Sequence, residues 1–528
     1  MKLDRLHTLI LTSLVICLFI IFNRGCLNYF FAGDGFNNFQ WLRNFATGNG
    51  TYEGPSDGYL FANHSYLTLF LLSPLIRLFP HPFVLFNVSF FYISCSLFLT
   101  FYIANWFLPK KAFGHLGFAL TLAYLLHPLS LDGLTGYQWM GFEPETILPL
   151  LVLLLTIFFL QKKKKMFFVV AGFLLLTKEE YIPVSAVLYA WLLFLLYQIR
   201  GRVKIKWLDI LILTSLFALC TWGSIHSLLH YKAINLRTIV NRNASLSSLL
   251  DWPNLWNGHF FDIKLFLTFL YTAVVPLCLG LFFLFCRQWK ALGFLLLSLF
   301  LFVFCRLATD RLIYNLQIYS TVTPGLGWSN WARAIIPPMM GLASIFSIRL
   351  ANKKIFSQRV TFVLGILFVI LSILLNLQKP PTLYYFAINE RKFDSVGTEL
   401  DEKNKKPEPF DIESEWNQRR HIVSLIKDEQ PETTILIPNS NWENFVFRMT
   451  MAQYNAYCVE WVEEVFVANY FKLWLQQAKY VVLLKSRVNQ VILGAVKNFD
   501  QVGETTDYIL MKKNEQREPL LKLKLKYW

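Results

Sequence analysis

The chain has 528 residues, 55% apolar, 17% aromatic and only 16% charged, with a formal net charge of +16. Soluble domains carry about 25% charged residues, and 50 Phe exceed what one water-soluble core uses, so the composition excludes a single soluble domain and points to a polytopic membrane protein. The positive charge is no sign of a nucleic-acid partner, because from Lys379 onward the chain holds 21 Lys/Arg against 21 Asp/Glu and the excess lies before that point.

In chain order, apolar runs near spanning length fall at 6–22, 83–107, 113–130, 146–160, 166–177, 182–199, 207–230, 264–286, 290–306, 332–349 and 360–376. No small-x-small cleavage site follows the first run, so an uncleaved helix is expected there. The stretch 32–41, Ala-Gly-Asp-Gly-Phe-Asn-Asn-Phe-Gln-Trp, reads as a glycine-rich loop beyond that helix. Residues 67–79 are short, contain Pro74 and precede Pro80-His81-Pro82, which makes them re-entrant or interfacial rather than spanning.

Charge supports that choice. With the N-terminus inside, the inner segments hold 18 Lys/Arg against two acids, Asp4 and Asp209. Making 67–79 a span would turn the later basic clusters outward, against the positive-inside bias. The expectation is eleven spans over residues 1–378, in a cell inner or plasma membrane, with the N-terminus cytoplasmic. After 376, Lys379-Pro380-Pro381 ends the last helix. Residues 379–528 then have soluble composition and form an expected extracytoplasmic α/β domain. Its expected elements are a helix over 415–428 and strands over 433–438, 479–484 and 507–512. The eight Cys are scattered, without CxxC spacing, and suit neither a metal site nor a disulfide framework.

On this topology the outer side collects the unusual polar residues: Asp34, Gln40 and His64, then Asp132, Glu143 and Glu145, then Lys178, Glu179 and Glu180, and finally Arg333 near the tenth run. Ionisable groups at span ends on one side suggest a polar cavity open to that side. Asp34, between Gly33 and Gly35, suits a general base or a metal ligand, and equally an ordinary turn acid. Glu143 and Glu145 flank Pro144, where helix entry alone accounts for them. Lys178 suits an ion pair with Glu143 or Glu145, or a phosphate. Arg333, beside Trp328 and Trp331, suits a lipid phosphate or interfacial anchoring. No metal-ligand motif is present, so a divalent cation stays an open cofactor question.

These motifs resemble the DUF2079 family of predicted membrane proteins, placed near the GT-C membrane glycosyltransferases. Asp34 and Gln40 keep the six-residue offset of the family's opening pattern, with Trp41 near, and His64 precedes an apolar segment with Pro74. Phe142, Pro144 and Glu145 match its F-H-P-E pattern, and Thr177, Lys178 and Glu179 its T-K-E-D pattern. Glu143 replaces the family His and Glu180 the family Asp. The resemblance implies a GT-C-like fold in which a first-loop acid, here Asp34, activates the acceptor. It also implies a polyprenyl-phosphate-linked sugar as donor, membrane lipid as partner and an acceptor the sequence does not specify. A lipid or glycolipid carrier without chemistry, or an envelope assembly protein, is the alternative reading.

Overall fold

The computed structural model describes residues 5–27, 34–48, 67–108, 110–135, 142–177, 181–200, 207–232, 273–301, 330–378, 383–384, 387, 412–430, 433–438, 451, 454–459 and 474–518. Helices follow the apolar runs, as backbone N–H and C=O groups in lipid must be satisfied within their own segment. They are α1 (Arg5–Leu27), α2 (Asp34–Ala46), α3 (Ser73–Leu78), α4 (Pro82–Phe107), α5 (Lys110–Leu125), α6 (Pro128–Leu134), α7 (Leu148–Leu160), α8 (Lys164–Thr177), α9 (Tyr181–Arg200), α10 (Trp207–Lys232), α11 (Val274–Phe285), α12 (Trp289–Leu301), α13 (Asn330–Leu350) and α14 (Gln358–Gln378). Among the described residues, three stretches are long and apolar enough to cross a membrane by themselves: Arg5–Gly25, Pro82–Phe107 and Gln358–Leu377. Large apolar side chains stay exposed on the bundle, Phe285 at 83%, as suits helices whose solvent is hydrocarbon.

Two expectations need correction. The stretch 32–41 is not simply a loop, because α2 starts at Asp34 and continues to Ala46. Gly35 costs little next to a helix end, and Phe39 and Leu42, three residues apart, both bury. The run 113–130 is also not one helix. It stops at Leu125, and α6 restarts at Pro128 after His127, whose Nδ1 accepts from Leu129 N at 3.2 Å. Pro at the first position of a new helix leaves no N–H to orphan, which the unbroken apolar composition conceals.

Residues 67–78 form a 3-10 turn, Leu67–Leu72, followed by α3. At about 2.0 and 1.5 Å per residue this segment reaches roughly 21 Å, short of the roughly 30 Å hydrocarbon core.

α5 and α14 pack closely. An added Cβ at Gly365 would stand 3.0 Å from Ala119 Cβ, and on the other side of α5, against α4, one at Gly117 would stand 3.3 Å from Ala104 Cβ. Such small residues let helices approach in lipid. At and just beyond the end of α5, α14 supplies two donors to backbone carbonyls. Ser372 Oγ donates to Ala123 O at 3.3 Å and Asn376 Nδ2 to Leu126 O at 2.6 Å. Elsewhere, α7 joins α8 and α11 joins α12 through short turns in which Lys162 and Arg287 take φ of 60° and 56°. Lys163 N donates to Phe158 O and Gln288 N to Phe283 O, the six-to-one bond of a Schellman cap.

Near the C-terminus lies a five-stranded sheet ordered β2-β1-β3-β5-β4, made of β1 (Thr434–Pro438), β2 (Asn455–Val459), β3 (Tyr480–Leu484), β4 (Phe499–Glu504) and β5 (Tyr508–Lys513). The first three strands are parallel and the other two pairings antiparallel. β1 and β3 read as continuous apolar runs because both faces are covered. Ile435, Ile437, Tyr480 and Val482 pack with Ile422 and Ile426 of α15 (Ile412–Ser424) and the turn after it. Leu436, Tyr457, Val481 and Leu483 pack with Trp474, Ile492 and Val496 on the other face. The strands expected over 433–438, 479–484 and 507–512 are β1, β3 and β5.

Candidate functional site

α2 is the centre of the candidate site. Seven consecutive residues, Asn38 through Asn44, are buried, so this helix has neighbours on every side. At 100° per residue, Gln40, Arg43 and Asn44 form one stripe, and Asn38 and Leu42 lie opposite it. Phe39, Trp41 and Leu42 join a core cluster with Leu69, Ile76, Leu85 and Phe142.

The Asn38 side reaches the segment at 142–147. Asn38 Nδ2 donates to Phe142 O at 3.2 Å. The next residues are buried: Glu143 is 3% exposed and Glu145 1%. Pro144–Ile147 form a 3-10 turn with Glu145 in its first turn. Thr146 Oγ1 donates to Glu143 O at 2.7 Å and lies 3.3 Å from Ser89 Oγ of α4. Two carboxylates this deep are costly unless hydrogen bonds or opposite charge compensate them.

The stripe on the opposite side reaches the C-terminal sheet. Arg43 Nη1 donates to Tyr454 O, and Tyr457 OH donates to Asn44 Oδ1 at 3.2 Å. Gln40 Nε2 donates to the same Asn44 oxygen at 3.1 Å. Burial pushes the Tyr457 phenol up to about 12, against the pull of the Arg43 charge and the Asn44 bond, so at neutral pH it remains a donor.

The 67–72 turn closes the other flank. It packs against α2 and α8, and Thr68 Oγ1 donates to Thr177 Oγ1 at 3.1 Å. Thr177, the last residue of α8, is buried and also donates to Phe173 O at 2.7 Å. α2, the 67–72 turn, the 142–147 segment and the end of α8 therefore adjoin.

The residues expected from sequence distribute as follows. Gln40, Glu143 and Glu145 are buried in this assembly, with Gln40 turned to the sheet-facing stripe. Asp34 is the first residue of α2 and Arg333 lies in the first turn of α13, while their side chains lie outside the described residues. His64, Lys178, Glu179 and Glu180 lie outside them as well. Sequence reading missed Asn38, Arg43, Asn44, Tyr454 and Tyr457. The signal for the first three was their polarity among Phe39, Trp41, Leu42 and Phe45 of the same helix. Among the described residues no group of three or more His, Cys, Asp or Glu is placed to hold a metal ion.

A separate small cavity of about 30 Å³ lies between α5, α11 and α13. Its walls are mostly apolar, including Leu120, Val275, Pro337 and Met340, with His127 and Ser344 as polar points. α13, which lines it, also packs against α6 and the 144–147 turn.

A family model described as "Predicted membrane protein (DUF2079)" matches residues 38–436. No curated protein matches the sequence. Among solved structures, the chain is similar to the crystal structure of ArnT from Cupriavidus metallidurans bound to undecaprenyl phosphate. The TM-score is 0.50 with 10% sequence identity, over 96% of this chain and 97% of that one. At that identity the likeness is one of fold.

Proposed function

The chain belongs to the DUF2079 family of predicted membrane proteins, and from its GT-C-like fold we propose that it is a membrane glycosyltransferase moving a sugar from a polyprenyl-phosphate donor to an acceptor outside the cytoplasm. The observation that carries the reading is the end-to-end fold likeness to a protein crystallised with undecaprenyl phosphate. Burial of Glu143 and Glu145 beside α2 supports it, because buried carboxylates collected in one place are typical of functional sites.

In this reading the acceptor hydroxyl oxygen attacks the anomeric carbon from the face opposite the phosphate. The bond from that carbon to the phosphate oxygen breaks and polyprenyl phosphate leaves. The hydroxyl proton passes to the Asp34 carboxylate. Lys178 and Arg333 hold the phosphate, and His64, Glu143, Glu145, Glu179 and Glu180 line the site around the sugar. Residues 1–378 form the transmembrane domain with the N-terminus inside, and 379–528 the extracytoplasmic domain.

The test is analysis of glycans and lipid-linked sugars in cells lacking the protein and complemented with wild type or Asp34→Asn. Loss of a general base predicts a fall of about 10²–10⁴-fold in transfer, with the polyprenyl-phosphate sugar accumulating and the protein present at normal level. Wild-type glycans from Asp34→Asn remove Asp34 as base. A glycan profile unchanged by deleting the whole protein removes the transferase and leaves the carrier or assembly reading.

A further inference from the structure

We infer that the C-terminal sheet positions α2, with Tyr454 and Tyr457 acting as positioning residues for the carboxylate segment at 142–145, more than 300 residues earlier in the chain. The functional half of this inference rests on the glycosyltransferase reading above; the mechanical half does not.

The argument begins with α2 itself. A 13-residue helix lying on a membrane domain normally keeps a solvated stripe. This one buries every residue from 38 to 44. Its polar stripe is therefore covered, and the cover is the sheet. A guanidinium as buried as that of Arg43 needs firm acceptors, and the backbone oxygen of Tyr454 is one of them. Asn44 Oδ1 collects two donors, Tyr457 OH from the sheet and Gln40 Nε2 from its own helix.

The anchors on the sheet side are stiff. Tyr454 OH donates to Ile426 O at 2.8 Å, fixing its ring to the turn after α15. The Tyr457 ring lies 4.6 Å from that of Trp474 and sits in the core cluster with Leu436 and Val481. On the opposite side of α2, Asn38 holds Phe142 O. Asn38 and Asn44 are six residues apart, about 9 Å along the axis. One rigid helix segment thus ties the sheet to the residue preceding Glu143. Any shift of the sheet relative to the bundle moves α2 and with it the 142–145 backbone.

The experiment is hydrogen exchange read by mass spectrometry on the full-length protein in lipid nanodiscs, following peptides that cover 34–48 and 142–147. Tyr457→Phe removes one hydroxyl and leaves the ring packing. A net hydrogen bond corresponds to about a fivefold change in a local opening equilibrium. The expected result is about fivefold faster exchange in both peptides, with β1 and β3 unchanged. Arg43→Leu produces the same pattern, and Arg43→Lys, which keeps a buried donor, restores exchange to within about twofold of wild type. Lys485→Ala, on the sheet surface beside Glu504, changes neither peptide. Exchange in 34–48 within twofold of wild type in both Tyr457→Phe and Arg43→Leu overturns the inference. So does faster exchange confined to the sheet. Failure of the transferase reading shows separately, as a glycan profile unaltered by deleting the whole protein, and leaves the exchange pattern of the purified protein as it was.

Discussion

Replacing Asn38 by Leu tests the joint between α2 and the carboxylate segment. Asn38 is 2% exposed, and its amide must be oriented with Nδ2 toward Phe142 O, because a carbonyl can only accept. Its Oδ1 is buried with no hydrogen-bond partner among the described residues. Asn38→Leu gives up one hydrogen bond, worth about 0.5–1.5 kcal/mol net, and leaves Phe142 O unpaired for about 1–3 kcal/mol more. It also removes an unpaired buried oxygen, which returns about 1–3 kcal/mol, and adds apolar surface to a cluster that already holds Phe39 and Leu42. The terms nearly cancel, so thermal unfolding of the detergent-solubilised protein should move by about 1 kcal/mol or less. The 142–147 backbone, freed from α2, should exchange several-fold faster and sugar transfer should fall. A loss above about 3 kcal/mol would mean that Oδ1 has a partner, and unchanged exchange at 142–147 would mean that Asn38 does not hold that segment. Either result refutes the reasoning.

Gly365→Leu should destabilise the α5–α14 packing by about 1–3 kcal/mol through overpacking, since even a Cβ there stands 3.0 Å from Ala119 Cβ; thermal unfolding in detergent checks it, and a neutral result would mean that the two helices separate freely. For Glu429, burial pushes the carboxyl up, but the bonds from Lys479 and Tyr480 and the charges of Lys479 and Lys512 outweigh it and hold the pKa below the ordinary 4.5. A depressed folded pKa stabilises above the unfolded value and loses that contribution as pH falls through the folded one. The stability difference between wild type and Glu429→Gln, followed by tryptophan fluorescence, should therefore be full at pH 7 and close below pH 4.5; an equal difference at pH 7 and pH 3 would contradict it.

Much of the fold was legible because lipid imposes a simple rule. A run such as 358–378 has no alternative to a helix, and its sequence is apolar on all sides. β1 and β3 were legible for a related reason, since a strand buried on both faces is a short continuous apolar run. β4 was not, because as an edge strand its sequence Phe-Asp-Gln-Val-Gly-Glu leaves most side chains exposed and carries no alternation. The site divides the same way. Glu143 and Glu145 stood out as acids at the head of an apolar run, and both are buried. Tyr457 did not, because its importance lies in a hydrogen bond to a residue more than 400 positions away, and a sequence read locally carries no trace of such a pairing.

The two left-handed turns at Lys162 and Arg287 bear on how the chain is made. A non-glycine residue at such a φ costs about 1 kcal/mol, and glycine at either place would remove that cost. On the positive-inside reading, however, both positions lie where a cation retains its segment on the cytoplasmic side during insertion. Residues 162 and 287 thus serve two stages of the protein's life with opposed demands. On that reading a cation there helps to orient the nascent chain, and the finished fold carries the backbone cost of a non-glycine residue at that φ.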